Sequence, residues 1–214
     1  MTIGTLIFDF DGTLADSFDA TLQVANALAA EFGYRPARPD EIEQLRGSSY
    51  RSIAAQLGMA WHKIPWIAAR IRNELRSRVK DMPTFDGMPG VLSELRDRGI
   101  QLGILTSNDR SNVERFLAAR ELQHFEFVTT VASVWGKQQR LKTLLRSRGL
   151  SPSDVAYVGD EVRDIEATKA LGMCMIAVGW GYTTPAHLAS HAPDHLVHAP
   201  RDLLAVPGVE KRGL

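Results

Sequence analysis

The chain has 214 residues, of which 44% are hydrophobic and 23% are charged, and 25 Lys and Arg residues balance 25 Asp and Glu residues. This composition is typical of a folded globular protein and excludes a disordered chain. A formal net charge of zero offers no basic surface, so we expect no nucleic-acid partner. We also expect no membrane span, because no stretch approaches about 18 consecutive apolar residues.

The single cysteine, Cys174, lies in an apolar run, which predicts a buried thiol and excludes a disulfide within the chain. The chain begins with a strand pattern and not with a basic region followed by an apolar signal segment. We therefore expect a cytoplasmic protein, and a monomer or a weak dimer.

The first predicted strand covers residues 3–8, which are mostly apolar and partly β-branched. Helical periodicity follows it, and no strand pattern appears in residues 16–83. The predicted helices of this stretch cover residues 18–32, 40–45, 50–57 and 61–79. Residues 16–83 are therefore expected to form a small all-helical cap domain, inserted after the first strand.

From residue 84 onward, predicted helices and strands alternate. The strands cover residues 101–106, 125–131, 155–158, 174–178 and 194–197. The helices cover residues 89–98, 110–120, 136–148, 162–171 and 201–206. This alternation predicts an α/β fold with a doubly wound parallel, Rossmann-like sheet, whose core consists of residues 1–15 and 84–214.

Polar residues follow three of the predicted strands. Asp9 and Asp11 end the first strand, and their spacing directs both carboxylates to one side if the strand continues. The other two strand ends carry Thr106, Ser107 and Asn108, and Asp160, Glu161 and Asp164. Each run alone also fits an ordinary turn or helix cap. Together, at the edge of a parallel sheet where ligands bind, they predict a site for a divalent cation and a phosphoryl group.

Asp9-Phe10-Asp11-Gly12-Thr13, after a hydrophobic strand, resembles the first motif of the haloacid dehalogenase-like hydrolases. The following Leu-Ala-Asp-Ser, residues 14–17, resembles the entry into the inserted helical cap of phosphoglycolate phosphatase-like members.

Three further motifs of this family have counterparts in the expected order. Thr106 resembles the second motif, and the pair Asp160 and Asp164 resembles the fourth. Lys137 resembles the lysine of the third motif, although Gly-Lys-Gln stands here where the family often has Lys-Pro. Lys142 is an alternative for that lysine, and a solvated lysine at a helix start is the other interpretation of Lys137.

The resemblance implies a Mg²⁺-dependent phosphatase that acts on a small phosphorylated metabolite. Asp9 would attack phosphorus to form an aspartyl-phosphate, and Asp11 would serve as general acid and then as general base. Asp9, the backbone carbonyl of Asp11, and Asp160 would hold Mg²⁺, with Glu161 and Asp164 in an outer layer.

The phosphoryl oxygens would be bound by the hydroxyl of Thr106, by the backbone N–H groups that follow at Ser107 and Asn108, and by the ammonium of Lys137. The loop that contains Arg46 and Gly47 resembles the substrate-specificity loop of the cap. Closure of the cap would then present Arg46 to the leaving group of the substrate. The alternative for Arg46 is an exposed arginine that satisfies carbonyls at a helix end.

Other functions remain open at this point. A phosphomutase of the β-phosphoglucomutase type would use the same residues, and a catalytically idle interaction protein could have the same fold. A dehalogenase is disfavoured because Asp11 is present.

Some conspicuous side chains carry no catalytic prediction. The C-terminal histidines, His187, His191, His195 and His198, are not predicted to bind a metal. Trp61 and Trp66 are expected to pack within the cap. The run 180–182, Trp-Gly-Tyr, follows the predicted strand 174–178 and is assigned no role.

Overall fold

This computed structural model describes residues 2–48, 50–130 and 136–209. Its six strands are β1 Thr5–Phe8, β2 Gln101–Thr106, β3 Phe127–Thr130, β4 Val155–Gly159, β5 Cys174–Val178 and β6 His195–Val197. They form one parallel sheet in the order β3-β2-β1-β4-β5-β6. The predicted doubly wound α/β fold is confirmed. The predicted strand 125–131 reaches residue 131, which lies outside the described residues.

The α-helices are α1 Phe18–Phe32, α2 Ile42–Arg46, α3 Tyr50–Leu57, α4 Ile64–Leu75, α5 Met88–Asp97, α6 Arg110–Ala119, α7 Lys137–Arg148, α8 Val162–Lys169 and α9 Pro185–Ser190. Short 3₁₀ helices occupy Pro39–Glu41, Trp61–Lys63, Pro152–Asp154 and Pro200–Ala205. Among the described residues, none of these helices is both long and apolar enough to cross a membrane.

The sheet is covered by apolar side chains on both faces. Leu6 and Phe8 of β1 belong to one buried cluster, and Ile7 between them belongs to another. This alternation follows from the two-residue period of a strand, which sends neighbouring side chains to opposite faces. β1 therefore lies in the middle of the molecule, so the residues that follow it are held by packing on both sides.

Helices α1 to α4 lie between β1 and α5 in the chain, and we call them the helical insertion. Asp16 N donates to Pro83 O (2.9 Å), and Ala15 pairs with Thr84 in an antiparallel bridge. The chain therefore leaves and re-enters the α/β core at adjacent points. This pairing is consistent with the predicted domain limits at residues 16 and 83, which stay a prediction.

The structure differs from several predicted elements, including the predicted helix 201–206, which is a 3₁₀ helix. The predicted helix 61–79 is a 3₁₀ turn followed by α4, which ends at Leu75. Helix α9 was not predicted, and Thr184 caps it by accepting a hydrogen bond from His187 N (3.4 Å). Arg46 is the last residue of α2 and not part of the following loop, of which Ser49 lies outside the described residues.

Candidate active site

The central position of β1 brings three strand ends together. β1 pairs with β2 on one side and with β4 on the other, so Asp9, Thr106 and Asp160 lie at the carboxyl ends of neighbouring strands. All three side chains are buried. The sheet topology therefore places the predicted polar residues in one crevice, as expected for the carboxyl edge of a parallel sheet.

Lys137 joins two of the buried carboxylates. Its Nζ donates to Asp9 Oδ2 (2.5 Å) and to Asp164 Oδ1, and only 8% of the lysine is exposed. Burial lowers the pKa of Lys137, but the charges of Asp164 and Asp9 outweigh burial and raise it above its ordinary value. The lysine therefore stays an ammonium at neutral pH. The alternative Lys142 is exposed on α7.

The ring of Tyr157 on β4 supports the same ammonium. Lys137 Nζ lies 4.9 Å from the ring centroid, which is within the range of a cation–π contact. Tyr157 OH donates to Leu105 O on β2 (3.0 Å), so the ring is fixed between two strands. Lys137 is thus held by two charges and one aromatic face.

The carboxylate of Asp11 is held by neutral donors. Ser17 Oγ donates to Asp11 Oδ1 and Asn108 Nδ2 donates to Asp11 Oδ2, each at 2.9 Å. Burial of the carboxyl group raises the pKa of Asp11 to about 6, against the lowering effect of these hydrogen bonds. Both its protonated and its ionised form are therefore populated near neutral pH, as a general acid and base requires.

Asp160 is fully buried and bonded on both oxygens. Thr13 Oγ1 donates to its Oδ1 and Tyr182 N donates to its Oδ2, each at 2.8 Å. Two glycines allow this close approach, because a Cβ on Gly12 would lie 2.3 Å from Asp160 Oδ2 and one on Gly181 would lie 2.2 Å from Asp160 Cβ. Gly12 also has a φ of +75°, which other residues rarely adopt.

Asp9, Asp160 and Asp164 form the cluster best suited to a cation. Each offers a carboxylate oxygen within 4.8 Å of the others. Burial, with the charges of Glu161 and Asp9, raises the pKa of Asp160 well above its usual range, and burial raises the pKa of Asp164 to about 6. When ionised, these three carboxylates outnumber the single ammonium of Lys137, and a divalent cation with oxygen ligands would neutralise the excess negative charge.

The carboxylate cluster contains one residue more than the predicted carboxylate ligands, and metal binding by any of them stays a prediction. Asp9 and Asp160 lie in the cluster as predicted, and Asp164, predicted for the outer layer, lies there too. The carboxylate of Asp11 accepts hydrogen bonds from Ser17 and Asn108 and is not part of this cluster, and metal binding through its backbone carbonyl stays a prediction.

Glu161 lies at the start of α8, beside this cluster. Its Oε2 is 2.5 Å from Arg163 Nε, and its backbone N–H donates to Asp164 Oδ2 (3.3 Å). Asp164 therefore caps the helix that carries it and binds Lys137 with its other oxygen. The predicted outer-layer position of Glu161 stays a prediction.

The end of β2 supplies the remaining polar groups. Thr106 is buried, and its Oγ1 accepts a hydrogen bond from Asn108 N (3.0 Å). Asn108 also binds Asp11, as described above, and Ser107 between them is half-buried. The three residues lie where the sequence predicts a phosphoryl-binding turn, and their contact with a phosphoryl group stays a prediction.

Arg46 of the insertion reaches the core. Its NH2 group donates to Gly181 O (2.5 Å), its Nε donates to Tyr182 O (3.4 Å), and the guanidinium lies 5.1 Å from the ring centroid of Phe18. Gly47 follows Arg46 and lies near Thr184. A Cβ added to Gly47 would be 3.6 Å from Thr184 Oγ1, which is ordinary van der Waals contact. Substrate binding by Arg46 and Gly47 stays a prediction.

A small cavity of about 190 Å³ lies where the insertion meets the core. Arg46 and Asp16 line it together with the aromatic side chains of Phe18, Phe85 and Trp180. The cavity also touches Gly12, so it borders the pocket around Asp160.

The run 180–182, which follows β5, contacts the site although its sequence predicted no role for it. Tyr182 binds Asp160 through its backbone, and Trp180 Nε1 donates to Thr13 O (3.2 Å). The position of this run at the carboxyl end of a parallel strand is the same signal that identified the other strand ends. Its side chains include no carboxylate that could mark it as a metal ligand, and its link to Asp160 is made by the backbone.

The other conspicuous residues lie elsewhere. Trp61 and Trp66 were expected to pack, but they are 44% and 64% exposed. The ring centroids of His187 and His191 are 4.9 Å apart, and His191 Nδ1 lies 2.9 Å from His187 O. Cys174 is partly buried rather than fully buried, and burial raises the pKa of its thiol to about 11.

The chain is similar in sequence and in fold to known proteins. The family model for haloacid dehalogenase-like hydrolases matches residues 6–178. The chain is 39% identical over 204 residues to phosphoglycolate phosphatase of Synechococcus elongatus, covering 93% of this chain and 94% of that protein. It is 32% identical to phosphoglycolate phosphatase of Xylella fastidiosa, covering 83% and 81%. A solved haloacid dehalogenase-like hydrolase from Streptococcus pneumoniae has the same fold, with a TM-score of 0.79, 23% identity, and coverage of 95% and 97%.

Proposed function

Because this chain belongs to the haloacid dehalogenase-like hydrolases and is a phosphoric monoester hydrolase of that family, we propose that it hydrolyses 2-phosphoglycolate in a Mg²⁺-dependent reaction through an aspartyl-phosphate on Asp9. The observation that carries the proposal is the buried contact of Lys137 with Asp9 and Asp164, beside Asp160. It combines a nucleophile, a fixed positive charge and a carboxylate cluster in one water-poor crevice.

The first step forms a bond between a carboxylate oxygen of Asp9 and phosphorus while the bond from phosphorus to the glycolate oxygen breaks. That glycolate oxygen takes a proton from Asp11. The pKa of Asp11, raised by burial to about 6, leaves a sufficient fraction of the acid form near neutral pH. Glycolate leaves with its own hydroxyl group restored.

In the second step a water oxygen attacks phosphorus, and Asp11, now ionised, accepts the water proton. The bond between phosphorus and Asp9 breaks, which releases inorganic phosphate and restores the Asp9 carboxylate. Using one residue as acid and then as base is consistent with the hydrogen bonds to Asp11, because Ser17 and Asn108 hold its carboxylate in one orientation.

Fixed positive charge has to oppose the negative charge of the transferred group. Lys137 supplies one such charge from within the site, and its contacts with Asp164 and Tyr157 keep it in place while the charge on Asp9 changes. Asp9, Asp160 and Asp164, with the carbonyl of Asp11, would hold Mg²⁺. When bound, the ion supplies charge neutralisation for the phosphoryl oxygens.

The test is turnover of 2-phosphoglycolate by the purified wild-type chain with Mg²⁺, followed as released phosphate, and compared with a panel of other phosphorylated metabolites. We expect activity that EDTA abolishes and added Mg²⁺ restores, and a phosphoenzyme that acid quenching traps. Absence of phosphate release from every substrate would reject the hydrolase mechanism, and conversion of a hexose 1-phosphate to its 6-phosphate would identify a mutase. Preference for another phosphate ester would reject only the proposed substrate.

A further inference from the structure

The run 180–182 connects β5 with α9 and takes no part in the chemistry proposed above. Tyr182 at its end nevertheless contacts three separate parts of the molecule. Its backbone N–H binds the carboxylate of Asp160, its phenol reaches the start of α1, and its carbonyl accepts from Arg46 of α2. Tyr182 therefore links Asp160 of the carboxylate cluster directly to the helical insertion.

The backbone contact leaves little freedom between the loop and Asp160. Tyr182 N donates to Asp160 Oδ2 at 2.8 Å, and the main chain at Gly12 and at Gly181 lies close against the same side chain. A Cβ on Gly12 would also lie 2.6 Å from Tyr182 Cδ1. A displacement of this loop would therefore displace the carboxylate or break its hydrogen bond.

The phenol contact belongs to a directed chain of hydroxyl groups. Tyr182 OH lies 2.9 Å from Ser17 Oγ and 2.9 Å from Thr21 Oγ1, and Ser17 donates its single proton to Asp11. With ionised Asp11, Tyr182 must donate to Ser17, and Thr21 must donate to Tyr182, because each hydroxyl has one proton. Thr21 lies in the first turn of α1, so the chain runs from the insertion to Asp11.

Arg46 adds a second link between the insertion and this loop. Its guanidinium donates to the carbonyls of Gly181 and Tyr182, and Thr184 N donates back to Arg46 O (3.3 Å). The ring of Tyr182 also meets the edge of Phe18, with centroids 5.3 Å apart. The loop therefore receives contacts from α1 and from α2 at the same time.

We propose that Tyr182 is a positioning residue that couples the docking of the helical insertion to the placement of Asp160. The coupling rests on the proposed function in so far as Asp160 binds the divalent cation. Linkage then works in both directions, because a contact that orders the cation site must be strengthened by the cation. Binding of Mg²⁺ should protect the start of α1, and loss of the phenol contact should weaken Mg²⁺ binding.

The matched pair of variants is Y182F and Y34F. Y182F removes the hydroxyl that binds Ser17 and Thr21 but keeps the ring and the backbone bond to Asp160. Y34F makes the same change within the insertion, where Tyr34 OH donates to Ala25 O and does not reach the core. Mg²⁺ affinity is measured by calorimetry, and amide exchange of residues 18–25 is measured with and without Mg²⁺.

We expect Y182F to bind Mg²⁺ about two- to tenfold more weakly than wild type, which is the change that one hydrogen bond makes in an equilibrium constant. We also expect it to lose most of the Mg²⁺-dependent protection of α1, whereas Y34F keeps both properties of wild type. T21V removes the other end of the same contact, so the double variant Y182F/T21V should be no weaker than Y182F alone.

Three results would overturn the proposal: Mg²⁺ affinity and protection in Y182F equal to those of wild type, equal losses in Y182F and Y34F, or additive losses in Y182F/T21V. If Tyr182 serves only packing, Y182F would have a lower melting temperature than wild type and the same Mg²⁺ affinity. Failure of the proposed function is recognised separately, because wild type itself would then release no phosphate from any ester. If wild type releases phosphate but Mg²⁺ does not protect α1, only the proposed role of Tyr182 is rejected.

Discussion

Asp9, Lys137 and Asp164 come from β1, α7 and α8 and meet almost wholly buried, whereas Arg35 and Glu41 of the insertion lie six residues apart and bind each other locally. The core triad is assembled by the order of strands in the sheet, and removal of one member leaves a buried charge without its partner. The insertion pair is assembled by one short stretch of chain around a 3₁₀ turn.

The two kinds of ion pair are therefore expected to affect different properties of the protein. Charges in the core are few, buried and shared between elements, so we expect a substitution there to change turnover by orders of magnitude. Other ion pairs of the insertion, such as Arg70 with Glu74, are about 40% exposed on each side, and exposed pairs contribute little to stability. Substitutions there should change selectivity or stability by small amounts.

The largest expected effect is that of D9N. The amide keeps the size of the side chain but cannot attack phosphorus, so kcat should fall by about 10⁴-fold or more. Acid quenching should trap a phosphoenzyme with wild type and none with D9N. The control is D97N, which makes the same change at an exposed residue of α5 and should be fully active. Near-normal turnover by D9N would contradict the covalent mechanism and the central place given to the core triad.

D11N should have the next largest effect, and its size should depend on the leaving group. General acid catalysis contributes about 10²–10⁴-fold, and an alkyl phosphate such as 2-phosphoglycolate needs it more than p-nitrophenyl phosphate does. We therefore expect a much larger loss of kcat/KM for 2-phosphoglycolate. The measurement is kcat/KM for both substrates with wild type and variant. Equal losses on both would remove Asp11 from the role of acid.

The core residues could be predicted because they stand in short contiguous motifs after apolar strands. Asp9, Thr106 and Asp160 each end a strand whose apolar pattern is visible, and parallel pairing then brings the three ends together. The helical nature of residues 16–83 was predictable from periodicity for the same reason. These features depend on local pattern and on one general rule of sheet topology.

The contacts of Tyr182 and Arg46 could not be predicted in that way. Tyr182 meets Asp160 from 22 residues away and Ser17 from 165 residues away, and no local period encodes either contact. Arg46 reaches the core over 135 residues. Helix α9 has only six residues, too few to show helical periodicity. Such features depend on how the insertion sits on the core.

R46A tests whether the insertion contributes to selectivity. If Arg46 binds the carboxylate of 2-phosphoglycolate, kcat/KM for that substrate should fall about tenfold or more, as for a lost charge-assisted hydrogen bond, and p-nitrophenyl phosphate should be hardly affected. The matched control is R70A, which removes an arginine of α4 that pairs within the insertion.

Parallel losses on both substrates would assign Arg46 to its contacts with Gly181 and Tyr182 instead of to the substrate. No change on either substrate would leave it a surface arginine. R46K keeps the positive charge but cannot donate to both carbonyls as the guanidinium does. It therefore shows whether the charge or the planar guanidinium group is needed.

The smallest expected effect is that of E41Q on the melting temperature, and it should depend on pH. Hydrogen bonds from Arg35 and from Arg38 N lower the pKa of Glu41 to about 2. A lowered pKa in the folded state stabilises the fold above the unfolded pKa of about 4.5, and this stabilisation is lost as the pH falls toward 2. E41Q lacks the ionised form, so its melting temperature should lie slightly below that of wild type at pH 7, by a small amount because Arg35 is 42% exposed to solvent. The difference in melting temperature should persist to about pH 5 and shrink below pH 4.5.

The control E31Q changes an exposed glutamate 3.8 Å from Arg70 and should melt like wild type at every pH. A difference between E41Q and wild type that stays constant down to pH 3 would mean that the amide disturbs packing, and that the ionised pair does not stabilise the insertion.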